Sequence, residues 1–226
     1  MSLSYVGTRL LTQASPASIA GDCVVSLKKL RAVSALQPLL DAVAWGDDFV
    51  LKAAGEALLR IASPQTADAM LPILLSRLNG SDAPNATMAE DLQVRVRAAA
   101  ADLLGMIKHP AAVASLTRAL GETWTVFKSA AHALCEIGTA EAITSVVPEL
   151  LNRLQRKGDE YDRLTAVELL GRIGEHSFVP ALKEMLSDPS PLVSSRAVTA
   201  LRLIGTAEAM RAIEGIEGSG TPLADH

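Results

Sequence analysis

One thirteen-residue pattern written six times constrains this chain more than anything else in it. The copies are IAGDCVVSLKKLR from Ile19, VLKAAGEALLRIA from Val50, VRAAAADLLGMIK from Val96, VFKSAAHALCEIG from Val126, DRLTAVELLGRIG from Asp162 and VSSRAVTALRLIG from Val193. The first position is Ile, Val or Asp, the fifth Ala or Cys, the ninth Leu, and the twelfth Ile or Leu. Steps of four, four and three hold these positions on one face of an α-helix, so each copy predicts an amphipathic helix with that stripe in a core. A small fifth residue lets neighbouring backbones approach closely. Asp162 departs from the apolar first position and reads as a helix start.

Between the copies lie shorter apolar stretches that predict a second, outer helix for each pair. The twelfth positions Leu30 and Ile61, Ile107 and Ile137, and Ile173 and Ile204 are 31, 30 and 31 residues apart, but Ile61 and Ile107 are 46 apart. The excess coincides with residues 79–91, NGSDAPNATMAED, where periodicity stops and turn formers accumulate. That stretch reads as an inserted loop, either tolerated or functional. The predicted outer helices run from about Ala32 to Val43, Pro110 to Leu120 and Ala140 to Arg156, with another after Pro64 that Pro72 either kinks or starts. Ala207 to Ile216 reads as a terminal capping helix. The expected architecture is all-α: an α-solenoid of about six helix pairs in a single domain, residues 1–216, followed by a mobile tail, 217–226. Repeats that pack only on their neighbours need no further division.

The stretch LSDPSPLVSSRAVTALRLIGTAEAMRAI, Leu186 to Ile213, resembles the HEAT-like repeats of the phycobilisome-lyase type, with an Asp-Pro turn, paired small residues, Leu and Ile-Gly. The resemblance extends from about Ser15 to Ile216. The Val-Arg pair of that pattern is met at Val96 and Arg97, and its turn Asp at Asp188 and Asp91. The resemblance implies an armadillo-like solenoid whose inner helices line a concave wall. It also implies two functions of different kinds: a non-enzymatic protein-binding scaffold or adaptor, and a bilin lyase or lyase-like subunit that handles a tetrapyrrole with a partner. HEAT-like DNA glycosylases, with Trp and Asp at the lesion, are a third and more distant precedent.

Composition narrows these. The 226 residues carry a formal charge of −4, which speaks against a general nucleic-acid binder. With seven aromatics, the core must be Leu, Ala, Val and Ile. No apolar run approaches the ~20 residues of a membrane span, and the first twenty residues lack a basic start and apolar centre, so a cytoplasmic location is expected. Cys23 and Cys135 sit in different repeats and read as reduced structural thiols. His109, His132 and His176 have no metal-ligand spacing, His132 is expected to face solvent, and no His is followed by Glu. The paired His-Glu motifs of HEAT-like deoxyhypusine hydroxylases are therefore missing, and neither metal nor cofactor is expected.

What remains is a surface. The seventh position carries Glu56, Asp102, His132, Glu168 and Thr199, and the eleventh Arg60, Met106, Glu136, Arg172 and Leu203. Glu56 with Arg60, and Glu168 with Arg172, have the favourable i, i+4 order. This ladder reads either as solvated intrahelical pairs or as a mixed-charge groove for a peptide or helix. Five aromatics, Trp45, Phe49, Trp124, Phe127 and Tyr161, fall at the entries to inner helices, where they either close turns over the core or serve as interface anchors. The predicted partner surface is Trp45, Glu56, Arg60, Asp102, Met106, Trp124, His132, Glu136, Glu168 and Arg172.

Overall fold

The computed structural model describes residues 64–80, 90–156 and 159–217, and among these every regular element is helical. The chain divides into two compact units, Met1–Ile137 and Gly138–His226. The first two copies of the pattern, with Trp45, Phe49, Glu56 and Arg60, fall outside the described residues, as do 81–89 of the expected insertion and the tail from 218.

In the first unit, α1 (Pro64–Asn79) is an outer helix that continues through Pro72. Helix α2 (Glu90–Ile107) is the third inner helix and opens on Glu90 and Asp91, which favour its positive N-terminal end. The predicted outer helix from Pro110 is a 3-10 turn, Pro110–Ala112, running into α3 (Val113–Ala119). His109 caps that turn: its Nδ1 accepts from the Ala111 amide at 3.2 Å, while Nε2 lies 3.0 Å from Asp68 Oδ1 on α1. Inner helix α4 (Trp124–Ile137) packs on α2 and α3.

The second unit repeats the plan. Thr139 caps outer helix α5 (Ala140–Leu154), which again holds a proline, Pro148. Asp159 caps inner helix α6 (Glu160–Ile173) by accepting from the Asp162 amide, and Gly174, at φ +77°, ends it in the left-handed conformation that costs glycine least. A second 3-10 turn, His176–Phe178, leads into α7 (Val179–Met185). Ser190 and Pro191 start inner helix α8 (Pro191–Ile204), and α9 (Ala207–Glu217) packs on α7 and α8.

The stripe deduced from the repeats is largely the core, but first-position Val96 is half-exposed, and the twelfth position and Asp162 also depart from expectation. Fifth-position Ala100, Ala130, Ala166 and Ala197 and ninth-position Leu104, Leu134, Leu170 and Leu201 are all buried. Twelfth-position Ile107, Ile137, Ile173 and Ile204 are half-exposed instead, each being the last residue of its helix. Asp162 is no helix start: it stands inside α6 in true core register at 2% exposure. Its charge is met by Arg153, itself 3% exposed, at the end of α5, and Arg153 also donates to Glu149 at 2.8 Å. Arg156 Nη1 adds a contact to Asp162 Oδ2 at 3.5 Å. A carboxylate in the core thus persists because two guanidinium groups come with it.

Structure also shows that the repeating unit is longer than one helix pair. Arg97 and Arg163, Gly105 and Gly171, and Val113 and Val179 are each 66 residues apart and play matching parts. Arg97 donates to the Leu78 carbonyl at 2.8 Å and pairs with Glu122 in the turn before α4. Arg163 donates to the Arg156 carbonyl at 3.0 Å and grips Asp188, in the turn before α8, through Nε at 2.6 Å and Nη2 at 3.0 Å. Each arginine closes its outer helix's C-terminal end and ties down the entry of the next inner helix. Arg163 fills the role that the sequence motif marks only at Arg97, because its preceding residue is Asp rather than Val. In α4 the same second position holds fully buried Phe127. Long outer helix, inner helix, short outer helix, inner helix is therefore the motif, present once among the described residues of each unit.

Candidate functional site

Within each quartet the inner helices meet in one register. A Cβ on Gly105 would lie 2.7 Å from Ala133 Cα, and one on Gly171 would lie 2.5 Å from Ala200 Cβ, so the tenth residue of one helix abuts the eighth of the next with no room for a methyl group. Close approach is thus seen at these positions, in addition to the small fifth residue that the repeats suggested. Asp102 bonds Ser129 and Lys108 pairs with Glu136 at 3.2 Å. Contacts rise together on both helices, so α2 and α4 run the same way. Glu168 and Arg196, 3.9 Å apart, set α6 against α8 identically.

This register carries the seventh- and eleventh-position ladder along the seam. In the first unit Asp102 and His132 are half-buried, Glu136 is half-exposed, and Met106 is 38% exposed. His132 is therefore less open than a solvent-facing helix position would be. Trp124, at 36%, opens α4 and is linked to the ladder by a residue that the pattern did not mark: Lys128 Nζ stands 5.3 Å from the indole centroid and also attracts Asp102. Burial pushes the Asp102 carboxyl up from 3.8 to about 6, against the opposing pull of the Ser129 hydroxyl and the Lys128 ammonium. In the second unit Glu168 is half-exposed, and Arg172, Thr199 and Leu203 are exposed.

Lys128 stands over Trp124 and acts electrostatically on Asp102, and Lys108 pairs with Glu136. Sequence periodicity missed Lys128, Ser129 and Arg196 because they occupy third and fourth positions, which face the preceding helix's seventh residue only once the interhelical register is known. The aromatic entries divide: Phe127 closes the core, whereas Trp124 and Tyr161, the latter 62% exposed, keep much of their surface in water. Among the described residues no three His, Cys, Asp or Glu side chains are grouped to hold a metal ion, and no helix is long and apolar enough to cross a membrane.

Paired helices stacked in a constant register, with arginine-acid ties between successive turns, define an all-α repeat protein of the α-solenoid class. Residues 147–217 match the family model for HEAT repeats and residues 96–122 that for the PBS lyase HEAT-like repeat, so these two stretches carry HEAT-like repeats. No curated protein matches it. Similar solved structures include an engineered protein (20% identity, TM-score 0.47, covering 91% of this chain and 97% of the other). They also include human deoxyhypusine hydroxylase (15%, 0.40, 97% and 91%) and a designed armadillo repeat protein (17%, 0.45, 88% and 98%).

Proposed function

We propose that the chain is a non-enzymatic protein-binding scaffold, and that in its first unit the partner lies along the α2–α4 seam with Trp124 as an anchor. The observation that carries this reading is the pairing of exposed apolar surface with ordered charge. Trp124 stays 36% exposed beneath Lys128, and Met106 stays 38% exposed one turn from Asp102, while Ala100, Leu104, Ala130 and Leu134 of the same two helices are buried in the core. Interfaces draw most of their energy from such aromatic anchors, and rim charges set orientation.

The test is affinity capture with the tagged chain, followed by titration of the captured partner. Replacing both Trp124 and Met106 by Ala should weaken binding by roughly 30-fold or more, corresponding to the ~2 kcal/mol or greater loss at a hot spot. Arg118→Ala on the outer helix α3 should leave it unchanged. A complex abolished by the Arg118 change alone, or indifferent to the double change, would rule out the seam.

A further inference from the structure

Asp102 and Glu168 hold the same place in the two quartets but are served differently. Opposite Glu168, the fourth residue of the next inner helix is Arg196, which supplies a guanidinium 3.9 Å away. Opposite Asp102, that residue is Ser129, which offers a hydroxyl. The cation has moved one residue earlier, to Lys128, and from there it reaches back one turn over the Trp124 ring. A half-buried carboxylate is left with a neutral donor and part of the influence of an ammonium that is also drawn to an indole.

We infer that Asp102 is a receptor for a guanidinium supplied by the binding partner, an arginine side chain that pairs with the carboxylate and lies against Trp124. The inference rests on the scaffold reading above and adds the chemistry of what binds there. Three features of the seam favour arginine. Its planar fork presents two parallel donors to a carboxylate, and it is less strongly hydrated than an ammonium, which suits a half-buried acid. Its flat face stacks on indole, where Lys128 already shows that a cation is accommodated. Its aliphatic stem has the exposed side of Met106, one turn along from Asp102, to cover. Lys128, on an exposed position, can swing into water as the guanidinium arrives. A basic partner also suits a chain with a formal charge of −4. The carboxyl's displacement to about 6 is the signature of an acid lacking enough positive charge nearby.

The experiment follows the carboxyl carbons of the full chain by NMR during pH titration, with N-acetylarginine amide added in the millimolar range suited to so small a ligand. The uncharged N-acetylcitrulline amide is the control. The arginine compound should lower the Asp102 midpoint by about half a unit, roughly a threefold loss of proton affinity, and shift the Trp124 indole signal with the same saturation. The citrulline compound should do neither, and Glu168, already facing Arg196, should move less than Asp102. In the Asp102→Asn chain the Trp124 response should disappear. An unmoved Asp102, equal effects of the two compounds, a Glu168 shift as large as that of Asp102, or a Trp124 response that survives in Asp102→Asn would each overturn the inference. Loss of capture on replacing Trp124 and Met106, together with an unmoved Asp102, sinks the arginine receptor and leaves the scaffold reading standing; capture indifferent to that double change, together with a moved Asp102, rules out the seam as the partner's site and with it the partner as the source of the guanidinium.

Discussion

Asp102→Asn should make this protein more stable at neutral pH, and the gain should itself depend on pH. Burial raises the carboxyl from 3.8 to about 6 in the folded chain, so between those values the folded state holds a proton that the unfolded state has released. Stability from this group is complete below the unfolded value, falls as pH rises, and has been lost once pH passes the folded value. The rise from 3.8 to about 6 corresponds to about 3 kcal/mol at full effect, and water reaching this half-buried group reduces it to about 2. Asn keeps a carbonyl to accept from Ser129 and never ionises. Urea unfolding of both proteins, followed by circular dichroism from about pH 4 to pH 8, isolates the contribution of Asp102, because all other titrating groups are shared and cancel in the difference. The advantage of Asn should grow by about 2 kcal/mol over this range and level off near neutrality. A difference independent of pH, or an Asn chain weaker at neutral pH, would refute the assignment of a desolvated, under-compensated acid.

Other consequences concern packing. Gly105→Ala and Gly171→Ala should each cost about 1 to 3 kcal/mol, since the new methyl group meets Ala133 or Ala200 backbone below 3.0 Å; equal melting temperatures for mutant and parent would show that the inner helices are not so close. Leu104→Ala and Leu134→Ala remove fully buried side chains and should cost about 2 to 5 kcal/mol in chemical denaturation. Asp162→Ala removes the buried carboxylate that Arg153 faces at 3% exposure, leaving it Glu149, and should cost about 3 kcal/mol, whereas Asp162→Leu with Arg153→Met should recover most of it. If the double change is as damaging as the single one, the buried pair is not what holds that corner.

How much was legible in the sequence differs element by element. Inner helices and their core face could be read because burial repeats with the helix period, and Ala130, Leu134, Ala166 and Leu170 announce it by spacing alone. The register of one helix on the next could not, because it depends on where two surfaces interlock: Gly105 against Ala133 and Gly171 against Ala200 fix it. That register decides which charged residues meet, and so it decided that Asp102 faces Ser129 while Glu168 faces Arg196. Asp162 could not be read either, since the Arg153 that makes a core carboxylate tolerable comes from another helix. The 66-residue kinship of Arg97 with Arg163 was already present in the letters, but it acquired meaning only from the carbonyls and acids these side chains reach. The sequence by itself determined the helices and their buried faces, because hydrophobic period is a local property of the chain. Only the tertiary structure decided the seam, the buried ion pairs and the state of Asp102, because burial and electrostatic pairing are properties of neighbours that the chain brings together from afar.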